Sequence, residues 1–157
     1  MTHKCGVTRI MRKNSENPGV GAAFQRAVCD WFVNNRGGSF VLEKKIGIGE
    51  PPKDHKFDIV SEDGSIAIEC KCYTWTETGN VPSAKMGFCN EAAFYLSFLP
   101  ETYEKYIVMA YSWHDKRKMT LAEYYYEMNR HLLRDIKVAE YDPDAGKFRV
   151  IGEKDYV

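Results

Sequence analysis

The sequence predicts an α/β fold, and three observations carry that expectation. Asp63-Gly64 separates two alternating apolar runs, the strongest short-range signal for a β-hairpin. Apolar residues recur at helical spacing on both sides of that hairpin, from Val20 to Phe32 and from Met86 to Leu99. Ile107-Val108-Met109-Ala110 is a continuous apolar run, the pattern of a buried strand. The 157 residues suit one domain with a sizeable core, and they contain no internal repeat, low-complexity tract or long linker.

Each element has its own local reason. Asn17-Pro18 reads as a cap followed by proline at the first helical position, and the stripe Val20, Phe24, Ala27, Val28, Trp31 and Phe32 ends at Asn35, Gly37 and Gly38. A short strand is expected near residues 40–45, then a Gly- and Pro-containing connection through Pro51-Pro52 to the hairpin at 56–71. Pro82-Ser83 opens a second helix whose buried face is Met86, Cys89, Ala92, Ala93, Leu96 and Leu99, and Pro100 closes it. Thr120-Leu121-Ala122-Glu123 is a capping box, followed by the stripe Leu121, Tyr124, Tyr125, Met128 and Leu132. Strands near 136–141 and 147–151, joined by Asp142-Pro143-Asp144-Ala145-Gly146, complete the chain.

The hairpin carries the chemistry. A type I′ turn at Asp63-Gly64, or a four-residue loop centred on it, sets Val60 opposite Ala67, Asp58 opposite Glu69 and Lys56 opposite Lys71. Alternation sends Phe57, Ile59, Ile66, Ile68, Cys70 and Cys72 to one face and Asp58, Glu69 and Lys71 to the other. Opposed carboxylates about 5 Å apart repel by about 3 kcal/mol at an effective dielectric of about 20. A bound Mg²⁺ would offset this, since it takes one or two carboxylates and keeps several waters. A solvated face of mutually neutralising acids and lysines is the other reading of the ladder alone.

Asp58, ten intervening residues and then Glu69-Cys70-Lys71 resembles the metal-binding signature of the PD-(D/E)xK nuclease superfamily, although Phe57 stands where the motif has proline. The resemblance covers residues 17–112 and implies a restriction-endonuclease-like αβββαβ core, with a mixed central sheet flanked by helices. Residues 113–157 are then an appended C-terminal helix and β-hairpin, and 1–16 a flexible basic arm. It also implies Mg²⁺, with Mn²⁺ as a substitute, held by Asp58, Glu69 and the backbone oxygen of Cys70. Lys71 is then the residue that orients the attacking water. Several relatives carry an acid on the first helix where this chain offers Gln25, an amide that either orients a metal-bound water or is simply solvated. Lys85 is placed to hold a phosphate or to face solvent, and Lys56 has the same two readings.

Charge and cysteine usage set the expected partners. The chain balances 22 Lys and Arg against 22 Asp and Glu, so it is no polycation. Residues 1–56 nevertheless hold ten Lys/Arg against five Asp/Glu. Lys4, Arg9, Arg12 and Lys13 suit a phosphate-tracking arm, and Lys44, Lys45, Lys53, His55 and Lys56 lead into the hairpin as candidate substrate contacts. Lys116-Arg117-Lys118 reads as a solvated turn. Tyr73, Trp75 and Trp113 lie beyond strand ends, where aromatic rings pack in a core or stack on bases. Five cysteines, mostly at core positions, and the lack of an apolar leader point to a reducing, cytoplasmic setting. Cys70-Lys71-Cys72 lacks the second pair a zinc site needs.

The expected function is therefore Mg²⁺-dependent endonucleolytic hydrolysis of DNA, of restriction or defence type, by a homodimer with no organic cofactor and no membrane association. A junction-resolvase-like, structure-selective nuclease and a non-catalytic DNA-binding module of the same fold are the alternatives.

Overall fold

The computed structural model describes residues 18–153, so Asn17 and the basic arm expected at 1–16 lie outside the described residues. Helix α1 (Pro18–Arg36) buries Phe24, Val28 and Phe32 along one stripe. It stops where expected, because Gly37 and Gly38 adopt φ of +72° and +83°, a conformation only glycine takes without strain.

Strands β1 (Phe40–Ile48) and β2 (Lys53–Ser61) form an antiparallel ribbon, Lys45 directly across from Lys56 and Ile46 across from His55. β1 runs beyond Lys45 because Ile46 and Ile48 continue the alternation and pack against the core. Strand β3 (Ile66–Lys71) pairs antiparallel with β2 in the expected register, Ile59 with Ile68 and Val60 with Ala67. The connecting loop takes four residues, 62–65, and only Gly64 is left-handed (φ +70°). A type I′ turn is not used. Ser61 Oγ accepts from the N–H groups of Ser65 (2.9 Å) and Ile66 (2.8 Å), and Asp63 Oδ1 accepts from Ser65 N–H (3.0 Å), so side chains satisfy the turn's donors.

Helix α2 (Ser83–Ser97) leads into β4 (Glu104–Ala110), which lies parallel to β3. A two-stranded ribbon that the sequence reading did not anticipate follows, β5 (Trp113–His114) and β6 (Met119–Thr120), turning through the expected Lys116-Arg117-Lys118. Helix α3 (Leu121–Leu133) starts on the expected capping box, Thr120 Oγ1 accepting from Glu123 N–H (3.1 Å) and Glu123 Oε2 from Thr120 N–H (3.0 Å). Strand β7 (Lys137–Asp142) lies parallel to β4, and β8 (Lys147–Val150) returns antiparallel to it.

The result is an α/β architecture with a mixed six-stranded sheet in the order β1-β2-β3-β4-β7-β8, flanked by three helices. The C-terminal helix and hairpin are therefore continuous with the central sheet, because β7 adds to β4. Phe24, Val28 and Phe32 of α1 pack on Ile59, Ile66, Ile68, Val108 and Ala139 on one face. Met86, Cys89 and Leu96 of α2 and Leu121 and Tyr125 of α3 pack on Val60, Ala67, Ile107, Met109 and Val138 on the other. Covered on both faces, β3 and β4 read as nearly unbroken apolar runs.

One expected facing is corrected. Phe57 does not share a core with Ile59 but packs with Val60 on the α2 and α3 side. The β1–β2 ladder lacks the rung between Glu43 and Asp58, where Glu43 takes φ of +54°, and Phe57 and Ile59 face opposite sides of the sheet on either side of it. Among the described residues no helix is long and apolar enough to cross a membrane.

Replacing Thr120 with alanine removes one half of the capping box while leaving Glu123 in place. Urea unfolding should show a loss of about 1 kcal/mol with an unchanged slope.

Candidate active site

The end of the β2–β3 ladder sets the geometry of the acidic pair. Direct pairing of β2 with β3 ends at Ile59 and Ile68, and from there a side chain replaces the backbone: Asp58 Oδ2 accepts from the N–H of Cys70 at 2.8 Å. This bond draws the Asp58 carboxylate onto the segment that carries Glu69. Gln25 Nε2 donates to the Asp58 carbonyl oxygen at 3.0 Å, so α1 grips the strand at the same residue. The Cys70 side chain packs on the α1 side, which leaves only its backbone to the acidic face.

Glu69 is buried, 5% exposed, while Asp58 and Lys71 beside it are half-buried. Burial pushes the Glu69 carboxyl up to about 9, and the nearby Asp58 adds to this both as a charge and as a hydrogen-bond partner. Glu91 of α2 acts in the same direction and Lys71 opposes it. The protein thus holds a proton on Glu69 at neutral pH, as expected for two carboxyl groups crowded out of water. Among the described residues Lys71 makes no ion pair; it lies on β3 beside Met109 of β4, in the field of the acidic pair.

His55 joins the site from the β1–β2 ribbon. Its Nε2 is 3.3 Å from Glu69 Oε1, its ring stacks on Tyr95 of α2 at 3.9 Å and 13°, and its edge meets Phe57. Burial lowers its pKa, with Asp58 and Glu91 pulling the other way. The sequence placed His55 among phosphate contacts; the structure places it against an acidic ligand candidate. Tyr95 and Glu91 were not singled out at all. Their i, i+4 spacing shows that they share a helix face, but only the docking of α2 aims that face at the hairpin.

The lysines divide. Lys56 is exposed and lies across from Lys45 on β1; the β2–β3 ladder does not extend far enough to pair it with Lys71. These two like charges are opposed on the outer side of the ribbon, with no ion pair to the described residues. Lys85 Nζ sits over the rings of Tyr73 and Phe88, at 5.3 and 5.8 Å. The structure therefore gathers Asp58, Glu69, the Cys70 backbone, Lys71 and His55, and leaves Lys45, Lys56 and Lys85 around the periphery.

Among the described residues no group of three or more His, Cys, Asp or Glu side chains is arranged to hold a metal ion. The donor set in question is smaller, two carboxylates and a carbonyl, all hard oxygens of the type Mg²⁺ takes while retaining waters. Carboxyl groups that keep a proton because of mutual repulsion and burial are also the groups from which a cation displaces one. The residues present fit such an ion. No family model, curated protein or solved structure matches the chain.

The raised Glu69 pKa has a sign that can be measured. The folded protein retains a proton that the unfolded chain releases above about 4.5, so this group's contribution is complete below that pH and is lost as pH rises towards about 9. Glu69→Gln should remove that dependence and leave the variant more stable than the parent in alkaline buffer. Urea titrations at about pH 5 and about pH 8 would read it, and a stability difference between parent and variant that is the same at both pH values would refute it.

Proposed function

We propose that this protein is a metal-dependent nuclease that hydrolyses phosphodiester bonds in DNA, with Asp58 and Glu69 as the metal-holding pair. The observation that carries this reading is the Asp58 to Cys70 bond, which brings two carboxylates together at the carboxyl end of β3 with Lys71 on the same surface. An acid raised to about 9 by burial, with a neighbouring acid adding to the shift, is costly to the fold, and such perturbed groups concentrate at functional sites.

Each side chain then has a task. Asp58 and Glu69, with the Cys70 carbonyl, would hold Mg²⁺ or Mn²⁺. Bound there, the ion supplies Lewis acidity to the scissile phosphate and lowers the pKa of water. Lys71 carries an ammonium with no competing ion pair among the described residues, suited to positioning the attacking water and stabilising charge on the phosphate. His55, clamped between Tyr95 and Phe57, fixes the Glu69 carboxyl through Oε1. Lys45 and Lys56, opposed on the ribbon, are candidate phosphate contacts. One site cuts one strand, so cleavage of both strands calls for two copies of the chain, and a homodimer of restriction type is the preferred form.

Plasmid nicking with Mg²⁺ or Mn²⁺ tests the proposal. The parent should nick only with metal. Asp58→Ala and Glu69→Ala should lose nicking altogether while keeping the parent's circular dichroism, with Asp58→Ala melting lower because the Cys70 N–H loses its acceptor. Lys71→Ala should lose about 10²- to 10⁴-fold. Undiminished nicking by Asp58→Ala would remove the assignment, and a parent that binds DNA without cutting it would favour a non-catalytic module.

A further inference from the structure

The carboxyl ends of the parallel strands β3 and β4 hold a second feature, separate from the acidic pair. The segment after β3 and the β5–β6 ribbon after β4 are fastened to each other by four hydrogen bonds. Trp75 N–H donates to Ser112 Oγ (3.0 Å) and Trp75 Nε1 to the Met119 carbonyl (3.2 Å). Arg117 Nε donates to the Gly79 carbonyl (2.6 Å). His114 Nδ1 accepts from Lys116 N–H, which puts the proton on Nε2, and Nε2 donates to the Glu77 carbonyl (3.0 Å). Gly79 packs so closely on the His114 ring that a Cβ there would lie 2.8 Å from it. Loops tied down in this way form a preorganised wall.

Between them is a cleft of about 400 Å³, within the size range of small-molecule sites. Its two tryptophans have different roles. Trp75 is buried, packed edge-on against Tyr124 beneath the Arg117 guanidinium, and belongs to the core. Trp113 is 41% exposed, yet its ring is not loose: Nε1 donates to Asp115 Oδ1 at 3.0 Å. A tryptophan held rigid with a π-face open to a cleft is a stacking platform. Thr76 and Ser112 add hydroxyls, and Glu77 and Asp115 add carboxylates, at the cleft edge.

Position decides the ligand class. In α/β sheets, ligands bind beyond the carboxyl ends of parallel strands. Lys71 and Met109 are paired neighbours on β3 and β4, and Trp75 and Trp113 each follow four residues later. The cleft thus begins within about 14 Å of chain from Lys71. A flat ring with a polar edge, reaching this cleft while its backbone passes Lys71, is a nucleobase. Bases inside a duplex have their faces covered, so the base must be unpaired.

We infer that the Trp75–Trp113 cleft is a subsite for an unpaired base, and that the substrate carries a single-stranded segment, a tail, flap or branch, beside the scissile phosphate. This inference rests on the nuclease reading above and moves it from the restriction type to structure-selective cleavage.

Fluorescence anisotropy with the full chain in EDTA, which prevents cutting, tests it. The probes are a labelled blunt duplex and the same duplex with a short unpaired tail. The parent should prefer the tailed probe by about tenfold, in line with one stacked base. Trp113→Ala should abolish the preference and Trp113→Phe should keep most of it, both with the parent's circular dichroism. A parent without preference, or a Trp113→Ala variant that retains it, overturns the cleft. If that result comes from a protein that nicks plasmid with metal, the nuclease reading survives alone. If the parent neither binds these probes nor nicks plasmid, both readings fall.

Discussion

The hydrogen bond from the Cys70 backbone to the Asp58 carboxylate is the constraint on which the site depends. A regular antiparallel ladder would join β2 and β3 through main-chain groups alone and leave the side chains to stand off the sheet. Here the ladder stops after Ile59, and a charged side chain takes over the next donor. A charge-assisted bond of this kind is stronger than the neutral bond it replaces. It also holds Asp58 against Glu69 in spite of their repulsion, and turns Phe57 to the side of the sheet where His55 and Tyr95 lie. The end of the ladder and the meeting of the acids are one event.

Burial then sets the electrostatics. Glu69 lies under the His55–Tyr95 stack with little access to water, whereas Asp58 and Lys71 remain half-open. Desolvation disfavours the charged form of a carboxyl, and a second carboxyl nearby disfavours it again. The pair therefore has unequal members, one protonated and covered, the other bound to a backbone N–H. This asymmetry distinguishes the site from an ordinary row of alternating surface charges, in which both acids would stay hydrated and ionised.

The far side of the sheet is secured differently. Arg149 on β8 donates to Glu140 on β7 and to Glu123, the same residue that closes the capping box of α3. Glu140 is buried and only its Oε1 is satisfied, so the arginine is needed to keep a carboxylate in that position. The network joins the last hairpin to the start of α3, and β7 pairs along β4. Residues beyond 112 thereby brace the strand whose carboxyl end borders the candidate site.

Much of the fold was legible in the sequence because its signals are local. Gly37 and Gly38, Pro82-Ser83, the Thr120 to Glu123 box and the Asp63-Gly64 hairpin each act through neighbours a few residues away, and each marked an element boundary to within a few positions. The register of Ile59 with Ile68 and of Val60 with Ala67 was legible for the same reason, since one turn sets the pairs nearest to it; the expected rung between Asp58 and Glu69 does not form, and the Asp58 side chain bonds Cys70 N–H instead. The break at Asp58, the turn of Phe57, the addition of β7 to β4 and the arrival of His55 and Tyr95 at Glu69 were not. They depend on how α2 docks and how far each ladder extends, and those outcomes follow from packing between residues distant in the chain. Alternation along one strand contains no information about its neighbours. The acidic pair was written in the hairpin; its burial, its proton and its aromatic clamp came only from the assembled sheet.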